Sequence, residues 1–336
     1  MRLSLTARCN LACPYCLPEG IEPPGLLSQA QRLAVVGAAV ELGVHHLRLT
    51  GGEPLLHPGL ESLIAACAPL RPAGLGEISL TSNGALLTAE RALALRAAGL
   101  DRLTLSLDGT TGAAVAAMAG LGGGRGEAVA AGEVLLAKVL AAIVHARAAG
   151  FDPAAGALKL NAVIQRGRND DQLLPLAALA RERGVELRLI EFMDVGNRNG
   201  WRPEAVLSAA EMVERIGRQW PLEPLGRGAH GTASRWRYRD GGGHMAVVAS
   251  VSAPFCGDCN RLRVTADGIA YTCLFAAPAS GLDLRPWLAP TTPPAELCGA
   301  ISRLWQGRAD RWSEERLAAW SAGAPAAHAE MAYLGG

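Results

Sequence analysis

Six strand-like runs, each with one polar and one apolar face, limit what this 336-residue chain can fold into. They span residues 2–6, 46–50, 77–81, 102–106, 157–164 and 185–192, and helical stretches at 28–42, 57–67, 88–98, 127–149 and 169–183 separate them. Strand–helix alternation predicts a parallel sheet with right-handed crossovers. Arg2, Ser4 and Thr6 share one face, as do Arg48 and Thr50, Ser79 and Thr81, Thr104 and Ser106, Lys159 and Asn161, and Glu186 and Arg188. A parallel sheet covered on both sides should instead be apolar on both faces. The predicted fold class is therefore α/β: an incomplete (β/α)6 TIM-like barrel with helices outside and a polar cavity inside.

Beyond residue 195 the rhythm changes, which divides the chain into a partial barrel, 1–195, and a C-terminal region, 196–336. Ser28 with Gln31 and Ser208 with Glu211 each read as a capping box. Strand-like pieces lie at 234–239 and 245–251, Asp267-Gly268 predicts a hairpin turn, and helical stretches fall at 294–306 and 313–320. The glycine-rich run 120–126 reads as a flexible loop. A net charge of +1 excludes a general nucleic-acid binder. With no run of 18 apolar residues and no signal peptide in the sequence, the expectation is no membrane span and a cytoplasmic chain with reduced thiols.

Six of the eight cysteines form two triplets: Cys9-x3-Cys13-x2-Cys16 and Cys256-x2-Cys259-x13-Cys273. A cubane iron–sulfur cluster is normally held by four thiolates. Three would leave one iron open to a ligand that is not protein, and an open position marks reactive metal sites. Two triplets suggest two jobs, one cluster doing chemistry and one holding substrate. The first triplet follows the first strand, at the C-terminal strand ends that carry chemistry in such sheets. The second has a zinc alternative, with His244 as fourth ligand. Against zinc, Arg261 and Arg263 stand beside it, which suits an anionic ligand such as phosphate. Cys67 and Cys298 sit in apolar helical contexts and read as core residues.

On the first triplet, with Tyr15 before its last cysteine, and on the run TGGEP at 50–54, the chain resembles the radical S-adenosylmethionine (SAM) enzymes. The stretches IEFMDVG at 190–196, CGDCNRLR at 256–263 and DGIAYTC at 267–273, with the final double glycine, narrow the resemblance to the GTP 3′,8-cyclases of molybdenum-cofactor biosynthesis. The resemblance implies two [4Fe–4S] clusters, a barrel whose C-terminal extension carries the second, and SAM bound to the open iron of the first. SAM contacts would be Tyr15, Gly52, Ser106 and Met193. GTP contacts would be Arg2, Arg48, Thr81, Lys159, Arg261, Leu262 and Arg263, with Asn161 and Arg188 lining the same cavity. The triphosphate would lie among the arginines and Lys159, with guanine at the open iron of the second cluster.

The implied chemistry begins with a 5′-deoxyadenosyl radical that takes hydrogen from ribose C3′. The carbon radical then attacks guanine C8, and reduction yields (8S)-3′,8-cyclo-7,8-dihydroguanosine 5′-triphosphate. Gly335 and Gly336 would form a flexible tail that reaches the site and is needed for catalysis. The implied partners are GTP and a flavodoxin- or ferredoxin-like electron donor, with the chain a monomer or homodimer. The alternatives are a radical SAM peptide- or protein-modifying enzyme with an auxiliary cluster and, from a different class, a zinc-binding scaffold.

Overall fold

In the computed structural model, which describes residues 1–336 apart from 19, 230, 322 and 324–326, the strand–helix alternation is realised as a single curved sheet. The elements of the first two-thirds are β1 (Arg2–Ser4), α1 (Gln29–Glu41), β2 (His46–Thr50), α2 (Leu60–Ala66), β3 (Glu77–Ser82), α3 (Ala89–Ala97), β4 (Arg102–Ser106), α4 (Gly112–Ala119), α5 (Arg125–Ala148), β5 (Leu158–Ile164), α6 (Leu173–Glu182) and β6 (Glu186–Glu191). The remainder comprises α7 (Ala209–Gln219), β7 (Leu222–Arg227), β8 (Ser234–Tyr238), β9 (His244–Val248), β10 (Arg263–Val264), β11 (Ile269–Tyr271), β12 (Leu282–Asp283), α8 (Pro294–Gln306), α9 (Trp312–Ser321) and α10 (Met331–Leu334).

Strands β1 to β6 are adjacent, parallel and in chain order. The sheet does not close. Its order is β12-β11-β10-β1-β2-β3-β4-β5-β6-β9-β8-β7, so late strands extend both edges of the barrel. β10 runs parallel to β1, pairing Arg2 with Arg263, and β9 runs parallel to β6, pairing Arg188 with Ala246.

The period-2 reading sorts the side chains as predicted. Leu3, Leu47, Leu49, Leu80, Leu103, Leu105, Leu160 and Leu189 are fully buried on the helix side. On the other face the register builds rows across the sheet. One runs Arg263–Arg2–Arg48–Ser79–Arg102, and another aligns Ser106, Asn161 and Arg188. Both capping boxes form, each satisfying two helix-end groups, and such a cap contributes about 1 kcal/mol.

The glycine-rich run read as a loop at 120–126 is one as far as Gly124: Gly120 ends α4, which Thr111 caps, in the left-handed conformation, and α5 starts at Arg125, so helix α4 precedes the loop without having been foreseen. A run of Ala and Gly lacks the apolar–polar contrast that reveals a helix. α5 is also long and apolar enough, by length and composition alone, to cross a membrane. Here it is a layer of the fold, packing Leu135, Val139, Ala142 and Ile143 into the core against α4, β4 and β5. Cys67 is fully buried as expected, whereas Cys298 is half-buried where α8 meets α1, with its Sγ 3.2 Å from Glu41 Oε2.

Candidate active site

A cavity of about 250 Å³ opens on the polar face, and all six cysteines of the two triplets line it. Topology sets them at opposite ends. Cys9, Cys13 and Cys16 follow β1, at the C-terminal ends of the parallel strands. Cys256 and Cys259 precede β10, which is parallel to β1, and Cys273 follows the antiparallel β11. The second triplet therefore sits at the N-terminal strand ends. The hairpin predicted at Asp267-Gly268 makes the reversal, with Gly268 at φ +90°.

The first triplet is held by hydrogen bonds among the motif loops. Glu53 is buried and accepts from the backbone N–H of Leu55 (2.9 Å) and Asn83 (2.8 Å) and from Ser82 Oγ (2.8 Å). Asn83 in turn donates to Asn10 Oδ1 at 2.8 Å and approaches Cys9 Sγ at 3.9 Å. Glycine is required at 52 for a reason internal to the chain: a Cβ there would lie 2.2 Å from the Arg8 carbonyl oxygen. Tyr15 donates to Asp108 Oδ2 at 2.7 Å, and Asp108 Oδ1 accepts from the Val163 N–H at 2.8 Å. Burial pushes the Asp108 carboxyl up to about 6. Burial also raises all three thiols. Asp108 adds to the effect at Cys13, and Cys9 and Glu330 take Cys16 to about 12. Arg198 offsets part of the rise at Cys16. Buried thiols beside carboxylates are disfavoured as thiolates, which a metal cluster would reverse.

The second triplet has different neighbours. Burial alone would raise Cys259, yet its thiol is held below the ordinary value because Arg261 donates to Sγ from Nε (3.1 Å) and Nη2 (3.0 Å). Cys273 is raised by burial. His244, the alternative zinc ligand, sits on β9 opposite Arg237 and does not line the cavity. Among the described residues, no three His, Cys, Asp or Glu side chains close on one ion-sized point. Zinc would draw its sulfurs to within about 4 Å of each other, whereas a cubane cluster spreads them over several irons. The three free cysteines at each end of the cavity suit the larger group in number and kind.

Between the triplets lies a cationic wall. Arg2, Arg48, Arg188, Arg261 and Arg263 all line the cavity. Burial, then the proximity of Arg102 and Arg188, holds Arg48 down at about 9, and burial with Arg261 holds Arg263 at about 10. Like charges crowded in a buried site favour an anion. Arg263 Nε and Nη1, Arg188 Nε, Thr81 Oγ1 and Asn161 Oδ1 are buried without a hydrogen-bond partner among the described residues. A second hollow of about 700 Å³ at the N-terminal strand ends shares Arg2, Arg48, Arg188 and Arg261 with the first.

Most residues predicted for the site come together here. Tyr15, Gly52, Ser106, Met193, Thr81, Asn161, Gly335 and Gly336 line the same cavity as the arginines. Two do not. Lys159 is committed to Glu186, Nζ to Oε1 at 2.8 Å, and lines neither hollow. Leu262 is buried, packs into the core and reaches only the second hollow. The final glycines arrive because the tail is pinned. Asn197 Nδ2 donates to the His328 carbonyl at 2.6 Å, Tyr333 donates to Asp267 Oδ2 at 3.0 Å, and Arg2 donates to the Gly336 carbonyl.

The sequence reading missed the carboxylates of the IEFMDVG stretch. Glu191, fully buried, accepts from the backbone N–H groups of Ala209, Val251 and Ser252 at 2.7–2.9 Å. Asp194 accepts from Trp312 Nε1 at 2.7 Å and pairs with the buried Arg316. They fasten the C-terminal region to the barrel. Acidic residues inside an otherwise apolar motif were the available signal, since a buried carboxylate needs partners.

The Radical SAM superfamily profile matches residues 3–180, and that of Molybdenum Cofactor Synthesis C matches residues 185–314. A GTP 3′,8-cyclase of Synechococcus sp. (strain CC9605) is 61% identical over 342 residues, covering 100% of this chain and 95% of the relative. One from Xanthomonas campestris pv. campestris (strain B100) is 45% identical over 344 residues, covering 100% and 94%. The chain belongs to the GTP 3′,8-cyclase family. It is a radical SAM enzyme, and membership of that superfamily implies a [4Fe–4S] cluster with SAM.

Solved structures show the shared fold at low identity. Native anSMEcpe with bound AdoMet and Cp18Cys peptide matches at TM-score 0.55 and 15% identity, over 93% of this chain and 85% of that one. Streptococcus suis SuiB bound to precursor peptide SuiA matches at TM-score 0.51 and 15% identity, over 65% and 44%. These matches show a shared fold.

Proposed function

We propose that the chain isomerises GTP to (8S)-3′,8-cyclo-7,8-dihydroguanosine 5′-triphosphate in this one cavity, an early step of molybdenum-cofactor biosynthesis, with a [4Fe–4S] cluster on each triplet. The observation that carries the reading is the cavity itself: two sets of three thiols at its two ends, with a wall of buried arginines between them. Residues 1–195 form the radical SAM unit, and residues 196–336 supply the second cluster site and part of the substrate site.

Cys9, Cys13 and Cys16 would hold the first cluster. Cys256, Cys259 and Cys273 would hold the second, which would offer the guanine a metal site. When bound, the first cluster and SAM supply the radical that opens the reaction, and a flavodoxin- or ferredoxin-like donor in the cytoplasm supplies the electrons. The chain's residues bind and orient. Tyr15, Gly52, Ser106 and Met193 line the SAM end. Arg2, Arg48, Arg188, Arg261 and Arg263 take the anionic substrate, with Thr81 and Asn161 offering polar atoms that have no hydrogen-bond partner among the described residues. Lys159 contributes through Glu186, whose carboxylate it shares with Arg235 at 2.8 Å. Gly335 and Gly336 close the cavity near Thr50 and exclude water. Fixing ribose C3′ and guanine C8 close together supplies much of the rate enhancement.

The test is anaerobic purification and reconstitution with iron and sulfide, then incubation with SAM, dithionite and GTP. Mass spectrometry should find 5′-deoxyadenosine and a cyclised isomer of GTP. Formation of 5′-deoxyadenosine with intact GTP would sink the substrate assignment and leave the radical SAM assignment standing.

A further inference from the structure

Arg308 stands in the linker between α8 and α9, outside the short motifs that carry the resemblance, and it touches the second triplet twice. Its Nη1 donates to the Cys259 carbonyl, and its Nη2 donates to the Cys256 carbonyl at 3.2 Å. Its Nε faces Asp310 Oδ2 at 3.7 Å, and Asp310 accepts from Thr272, the residue before Cys273. One ion pair therefore reaches the turns of all three cysteines, which come from two separate segments of the chain. The guanidinium lies 5.2 Å from the centre of the Trp305 ring, and its side chain is only 15% exposed. Arg308, Asp310 and Thr272 all line the main cavity.

A planar fork with several donors can span two carbonyls, which a lysine ammonium or an amide cannot match. Partners of this kind orient metal ligands without binding the metal. We infer that Arg308, held by Asp310, is a positioning residue that sets the three thiols of the second triplet in their cluster-binding arrangement, and with them the open site facing the substrate. This rests on the reading that the second triplet holds a four-iron cluster.

The experiment uses the full chain, reconstituted anaerobically, as parent, Arg308→Gln, Arg308→Lys, Asp310→Asn and Cys256→Ala. Iron and sulfide per chain are measured before and after a chelator challenge. Electron paramagnetic resonance spectra of the reduced protein are taken with and without GTP, and KM and kcat are determined for GTP. Arg308→Gln should still cleave SAM at the first centre. It should lose iron from the second about 10- to 100-fold more readily than the parent, lose the GTP-dependent change in its spectrum, and raise KM for GTP. Arg308→Lys should recover part of the loss, and Asp310→Asn should fall between Arg308→Gln and the parent. If Arg308→Gln keeps the parent's iron, its spectral response to GTP and its KM, the inference is overturned, and a drop in thermal stability alone would leave Arg308 a mere tether of the α8–α9 linker. Equal iron in parent and Cys256→Ala would overturn the two-cluster reading and this inference together, a result obtained without altering Arg308.

Discussion

The two triplets are built from the same thiols and set in opposite surroundings. Around the first, burial and nearby carboxylates raise all three thiols, an Asn83 amide approaches the Cys9 sulfur, and Arg198, which donates to the Leu17 carbonyl, offsets only part of the rise at Cys16. Around the second, Arg261 donates to a sulfur, Arg308 to two carbonyls, and Arg263 lies fully buried beside them. Cations nearby favour added negative charge, whether an electron on a metal centre or an anionic ligand. The first end suits a ligand that brings its own positive charge, as the sulfonium and amino groups of SAM do. The second suits a polyanion. The difference lies in the second layer of residues rather than in the ligands.

The sharpest way to break this comparison is to remove one end at a time. Cys16→Ala should abolish both 5′-deoxyadenosine and the cyclised nucleotide. Cys256→Ala should lose only the cyclised nucleotide and retain about four irons per chain. Normal product from Cys256→Ala would erase the distinction. The next largest effect is expected at the tail. A Cβ at Gly335 would lie 2.2 Å from Thr50 Oγ1, and the residue has φ +74°. Gly335→Ala should lower kcat by about 100-fold through displacement of the closing segment, with the melting temperature little changed. Equal losses in both would make the tail a stability element.

Arg261→Gln removes the guanidinium from Cys259 and should slow alkylation of that thiol in the cluster-free chain at pH 7, while raising KM for GTP about tenfold. Unchanged alkylation would show that burial, not Arg261, controls the sulfur. The smallest effect concerns Asp108 at the first end. Its folded value of about 6 lies above the ordinary 3.8, so the folded chain binds the proton more tightly than the unfolded one. This group's contribution therefore favours folding at low pH and is lost as pH rises from about 4 to 6. Urea titrations of the cluster-free chain at pH 4.5 and 7 should show that Asp108→Asn removes this slope. An identical slope in the variant would place its origin elsewhere.

The barrel was legible because strand alternation has a period of two, so one polar position in each pair marks an inner wall. The triplets were legible because their spacing is local. The features that stayed hidden depend on pairings between distant residues. That the second triplet lies at the N-terminal strand ends follows from β10 pairing with β1, Arg2 against Arg263. Lys159 shares its polar face with Asn161, yet the β5–β6 register sets it opposite Glu186, which claims its charge before any ligand can. Glu191 and Asp194 sit in the most family-specific stretch and bind the protein's own extension, because a buried carboxylate there has backbone N–H groups and an arginine to satisfy. Helix α4 was invisible because Ala and Gly carry no amphipathic signal.

The order of strands also sets a timetable. β1 is made before β10, which covers one of its two edges and ends at Val264. At ordinary synthesis rates of about 5–20 residues per second, that edge waits roughly 13–50 seconds for its neighbour. The first triplet, just beyond β1, is thus made long before the sheet that encloses it is complete. Its three cysteines are joined to the chain while the cavity is still open on the β10 side.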